Sequence, residues 1–139
     1  MVATPVFEQT PQNWVVQILP ADTTTLKTLV TGASTGTRVY SINVTSTDTS
    51  ARDVLVYITS GSPAIDYLLG TLSIPITAGF TNAIPSVSIL TSSQISSLPY
   101  DSNGNRFILI ENGAVLKVAA GTTVTAAKSL NFFAQGADF

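Results

Sequence analysis

The sequence predicts an all-β chain, folded as a two-sheet antiparallel β-sandwich or jelly roll with an extended amino-terminal arm. Three observations predict it. Apolar residues recur at period two rather than 3.6 in most windows. Val, Ile, Thr, Tyr and Phe supply those positions, and these are the residues that pack well on a pleated surface. Pro and Gly punctuate the chain between short segments at a spacing suited to a sandwich or jelly roll. At 139 residues the chain has the length of one domain. It divides into an arm over residues 1–12 and a single β-sandwich domain over residues 13–139.

In the arm, Pro5 and Pro11 bracket Val6 to Thr10, with neither a periodic face nor a turn signal, so this stretch is expected to be extended. Candidate strands follow at Trp14 to Leu19 and Leu26 to Thr31. Thr31 to Thr37, with Gly32 and Gly36, has the look of a phosphate loop. It lacks the Lys and leads into a strand instead of a helix, so it is expected to be a hairpin loop. Arg38 to Thr45 places Tyr40, Ile42 and Val44 on one face and Ser41, Asn43 and Thr45 on the other. Arg52 to Thr59 places Val54, Val56 and Ile58 on one face and Leu55 and Tyr57 on the other. Ser46 to Ser50 between them is rich in turn formers, which predicts a hairpin of the two strands. Further candidates are Tyr67 to Ile74, Val87 to Leu90, Arg106 to Ile110, Val115 to Ala119 and Lys128 to Ala134. Asn112-Gly113 is a tight-hairpin signal between two of these, since a type I′ turn requires positive φ at both central residues. Ser92 to Leu98 has room for a turn or two of helix but reads better as part of a loop over one edge of the sandwich.

Composition narrows the chemistry. There is no His and no Cys, which removes Ser-His-Asp and Cys-His nucleophilic sites, imidazole or thiolate metal sites, and disulfides. No enzyme activity and no cofactor are expected. The eight carboxylates, Glu8, Asp22, Asp48, Asp53, Asp66, Asp101, Glu111 and Asp138, are scattered, with no sign of a glycosidase pair. The formal charge of -2 does not suit nucleic acid, which requires clustered Lys and Arg. No run of apolar residues is long enough to span a membrane, and the amino end does not resemble a signal peptide. Charged residues make up 10% of the chain, far below the usual roughly 25%. Thr and Ser supply most of its polarity, and so weakly charged a protein is expected to pack against other chains.

Asp101 to Asn105 imitates a Ca²⁺ loop, with oxygen side chains at alternate positions. The position that should hold the obligatory Gly holds Arg106 instead, so a reverse turn is expected and no metal site. Asn43-Val44-Thr45 matches a glycosylation sequon only by chance, in mid-strand.

The candidate interface residues are aromatic: Phe7, Trp14, Phe132, Phe133 and Phe139. Phe132 and Phe133 are adjacent in a strand, so they point to opposite faces and only one can enter the core. The other requires cover, which predicts a homo-oligomer. Tyr40, Tyr57 and Tyr67 fall in strands, where core packing is the commoner use, so they are not expected to form a sugar platform.

The run Ile42 to Ile58 resembles the central hairpin of a group of small tailed-bacteriophage virion proteins. These proteins tend to end in a strand followed by an aromatic, two glycines, an acid and an aromatic. This chain ends Phe132-Phe133-Ala134-Gln135-Gly136-Ala137-Asp138-Phe139, with Ala137 in place of the second glycine. Tyr67 to Thr71 and Leu98 to Asn105 are similar to the group's middle strand and its leucine-proline-acid-asparagine-glycine segment. The similarity covers residues 30–139 and leaves out the arm. It implies a structural virion protein, a capsid decoration or cement protein bound to the major capsid protein lattice on the head. Such a protein would be made in the bacterial host cytoplasm and would self-associate as a trimer before a dimer. The alternatives are a tail, fibre or baseplate adhesin module, or a carbohydrate-binding β-sandwich. The group hands over no catalytic, cofactor or metal residues.

Overall fold

The computed structural model describes residues 7–139. Among the described residues nine strands account for the segments of strand type in the sequence: β1 Thr10–Ile18, β2 Lys27–Thr31, β3 Thr37–Ser46, β4 Arg52–Ser60, β5 Ile65–Ile74, β6 Val87–Ser88, β7 Ile108–Ile110, β8 Val115–Ala120 and β9 Leu130–Asp138. They form two antiparallel sheets. The first runs β1-β9-β3-β6, with β7 beside the opening residues of β3, and the second runs β2-β8-β4-β5.

The winding is that of a jelly roll, nested about a single local hairpin, β4 with β5. Outward from it, β3 pairs with β6 and β7, β2 with β8, and β1 with β9. Three of the connections expected to be hairpins therefore pass from one sheet to the other. β3 and β4 do not pair; they stack across the core, where Ile42 and Val44 of one sheet and Val54 and Val56 of the other are all fully buried. The loop over residues 32–36 likewise joins β2 in the second sheet to β3 in the first. At Asn112-Gly113 positive φ falls on Gly113 alone (82°), so a type I′ hairpin does not form and the chain crosses between sheets instead.

The arm expected over residues 1–12 overlaps the first strand. Residues 1–6 lie outside the described residues, Gln9 already donates its N–H to the Asp138 carbonyl (2.9 Å), and Thr10 to Gln12 belong to β1. Alternation explains that strand, since Trp14, Val16 and Ile18 turn toward the core while Asn13, Val15 and Gln17 are exposed. β1 is also a sheet edge. The Lys27 ammonium covers its outward Gln17 carbonyl (2.6 Å), and Pro11, six residues back on the same side, offers no N–H for an incoming strand.

β3 breaks the expected alternation. Thr37 and Val39 are buried, then Ile42, Val44 and Ser46, because a bulge between Val39 and Ser41 shifts the register against β9. Tyr40 therefore faces solvent instead of joining Ile42 and Val44 in the core. Gly136 of β9 lies opposite the bulge, where an added Cβ would come within 2.0 Å of the Arg38 carbonyl oxygen. Only glycine fits that approach.

Ser92 to Leu98 forms turns and no helix, yet Ile95 is buried in the core and Leu98 packs against it. The segment runs against the β5 edge of the second sheet, where a Cβ added to Gly70 would come within 2.8 Å of the Gln94 carbonyl oxygen and of Ile95. Phe132, Ile18, Leu116 and Leu130 are among the largest fully covered side chains at the centre.

Candidate functional site

The middle of the face of the first sheet that points away from the core carries three cross-strand rows, beyond which Arg38 stands in register with Ala137 and Pro11. Asn13, Gln135 and Ser41 form one; Val15, Phe133 and Asn43 the next; Gln17, Asn131 and Thr45 the third. No charged side chain occurs among them. The amides and hydroxyls partly satisfy one another, as where Gln17 Nε2 donates to Asn131 Oδ1 (2.7 Å) and Ser41 donates to Gln135 Oε1 (3.5 Å). Val15 is 72% exposed and Phe133 39%, and they border a shallow groove of about 440 Å³. A sheet face that is uncharged, laterally bonded and apolar at its centre has the make-up of a contact surface.

The five candidate interface aromatics are dispersed. Phe133 lies at the middle of this face, while Phe132 points the other way and is 2% exposed, so it belongs to the core and drops out of the surface set. Trp14 is half-buried against the core. Phe7 is exposed at the end of the sandwich where β1 begins and β9 finishes. Phe139 is half-buried there, its N–H on the Gly36 carbonyl (3.1 Å). Sequence reasoning missed Val15, although period two in β1 puts it opposite Trp14 and Val16 and beside Asn13 and Gln17. Leu109, Ile65, Tyr67 and Leu68 are also exposed. With Tyr40, Tyr67 departs from the expected core role of strand tyrosines.

Most of the carboxylates serve the fold. Asp48 is fully buried and bound by Arg52, Ser50 and Thr125. Arg38 joins Glu8 (3.0 Å) to Asp101 (3.3 Å) while its guanidinium stacks on Phe107 at 4.3 Å, which ties the end of the arm to the body. Asp22 accepts the Leu19 N–H and pairs with Lys27 (3.0 Å); both partners hold its carboxyl below the ordinary value. The Thr59 hydroxyl does the same for Asp66, against a smaller opposing effect of burial and with help from Lys117. Asp138 accepts from Thr37 (2.6 Å) and Gln12 (3.0 Å), and Glu111 from Ser60 (2.7 Å). Among the described residues no three acidic side chains gather as metal ligands would.

The Asp101 to Asn105 segment is the expected reverse turn. Asp101 Oδ1 accepts the N–H groups of Asn103 and Asn105, each at 2.9 Å, and its carbonyl accepts from Gly104. Neither protein-family models nor curated protein sequences gave a match to this chain. Among the described residues no helix is long and apolar enough to cross a membrane.

Proposed function

We propose that this chain is a structural protein of a tailed-bacteriophage particle, a decoration or cement protein carried on the head lattice. The observation that carries the reading is the uncharged, laterally bonded face centred on Val15 and Phe133. The sequence resemblance over residues 30–139 supplies the phage context. A protein repeated over a lattice gains strength from multiplicity, so a modest contact on a rigid sheet suffices where a single binding event would require a deep pocket. Jelly rolls serve viral capsids and lectin domains alike, so the fold supports the reading by analogy only.

Quantifying the chain in purified particles, with heads separated from tails, tests the proposal. Many copies distributed over the head are expected; confinement to tail fractions, or absence from the particle, overturns it.

Self-association through the same face is part of the proposal, as a closed homo-oligomer with a trimer favoured by analogy with decoration proteins. Phe133→Asp puts a charge at the centre of the face without touching the core, so it is expected to give a folded monomer by light scattering while the parent chain is oligomeric. A parent chain that is monomeric at high micromolar concentration, or a variant that remains oligomeric, refutes this part.

A further inference from the structure

The geometry points to a second site, a groove between Tyr40 and Tyr100 that binds a neutral oligosaccharide. It does not depend on the virion reading and would hold for a head or a tail protein alike. The groove has a volume of about 550 Å³. Tyr40 on β3 is 40% exposed and Tyr100, on the long connection between β6 and β7, is 60% exposed. Between them lie Ser41, Ser88, Thr91 and Asn105.

Both rings are placed by specific structure. An unbulged β3 would turn Tyr40 inward with Ile42 and Val44; the bulge after Val39 aims it at solvent, as bulges beside binding sites commonly do. Tyr100 is held by Arg106 across an isolated antiparallel bridge, its hydroxyl accepting from Arg106 Nε (3.1 Å) and its ring centre 5.2 Å from the guanidinium. Arg106 is itself fixed, with Nη1 donating to the carbonyls of Ser92 (2.9 Å), Ile95 (2.7 Å) and Leu90 (3.4 Å).

The lining selects the ligand class. Aromatic faces receive the C–H faces of a sugar ring, and hydroxyl and amide side chains exchange hydrogen bonds with its hydroxyls. No carboxylate lines the groove. Of the two guanidiniums against the rings, Arg38, 5.2 Å from the Tyr40 ring centre, is paired with Glu8 and Asp101, and Arg106 has Nε and Nη1 committed, so a forked grip on an acidic group would break a bond that orders the structure. Neutral sugars meet no such cost.

The test uses the full chain on an array of neutral gluco-, manno-, galacto- and chito-oligosaccharides beside sialylated and uronic-acid oligomers, followed by amide chemical-shift mapping with the retained sugar. Retention of neutral oligomers is expected, with shifts confined to residues bordering the groove. Tyr100→Ala and Tyr40→Ala should each weaken binding about tenfold or more, whereas Tyr100→Phe, which keeps the ring, should keep most of it. The unperturbed part of each variant's spectrum reports that the fold is intact. No neutral sugar retained, retention of acidic sugars alone, shifts located elsewhere, or unchanged binding in the folded alanine variants overturns the assignment.

Discussion

Ile42→Asp and Val56→Asp are each expected to leave no folded protein, while Ser41→Asp keeps a cooperative thermal transition within a few degrees of the parent. Ile42 and Val56 are fully buried on opposite sheets and face each other's layer across the core. An unpaired carboxylate there costs several kcal/mol. That is comparable with the whole stability of a domain, about 5–15 kcal/mol. Ser41 sits one residue away on the solvent side of β3, beside Gln135, where a carboxylate remains hydrated. Circular dichroism and thermal melting of the three variants decide the matter. Collapse of Ser41→Asp with survival of Ile42→Asp would place the bulge one residue from where it lies, because a one-residue slip exchanges the two faces of a strand.

Asp48→Ala is expected to lower unfolding free energy by about 3–5 kcal/mol, the usual cost of removing one partner of a buried ion pair. Asp48 sits in the connection from β3 to β4. Its carboxylate accepts from Arg52 Nε (2.8 Å), the Ser50 N–H (2.9 Å), the Thr125 N–H (3.0 Å) and the Thr125 hydroxyl (2.7 Å). Arg52 also reaches the hydroxyls of Thr122 and Thr125, both at 2.9 Å. One carboxylate thus fastens the loop between the sheets to the connection from β8 to β9, and its loss strands a largely covered guanidinium. Urea unfolding measures the effect, and a change under about 1 kcal/mol, the range of a surface pair, would refute it.

The same group makes stability depend on pH. Burial by itself would raise the Asp48 pKa, but the Arg52 guanidinium together with the Thr125 and Ser50 donors outweighs it and holds the carboxyl well below the ordinary range. The folded pKa therefore lies below the unfolded one. Stability from this group is complete above the unfolded value near about 4 and is lost as pH falls through the acid range, where the unfolded chain binds the extra proton. Asp22 and Asp66 shift in the same direction. In Asp48→Asn the decline on acidification should be shallower than in the parent, and an unchanged slope would assign the acid sensitivity elsewhere.

Much of the uncharged outer face of the first sheet was legible in the sequence, and its limits are instructive. The adjacency of Phe132 and Phe133 in a strand requires one inside and one outside, and Phe133 is the exposed member. Composition had already foretold a surface of hydroxyls and amides. Tyr40 was not legible as a surface residue, because a bulge leaves the sequence alternating plausibly on either side and reveals itself only in the register with β9. Nor was the grouping of Tyr40 with Tyr100, which depends on Arg106 gathering carbonyls from a connection that carries no periodic signal.

By itself the sequence determined where strands form and which side of most of them is apolar, since both follow from side-chain alternation within a few residues. Tertiary structure alone decided which strands pair. β3 and β4 satisfy the alternation equally well side by side in one sheet or face to face across a core, and local turn formers suit either arrangement. The choice is made by partners far away in the chain, β9 beside β3 and β8 beside β4, together with the Asp48 to Thr125 bonds that span 77 positions. Those contacts stabilise the roll only once all its layers close over a shared interior, so no local window of sequence can carry them.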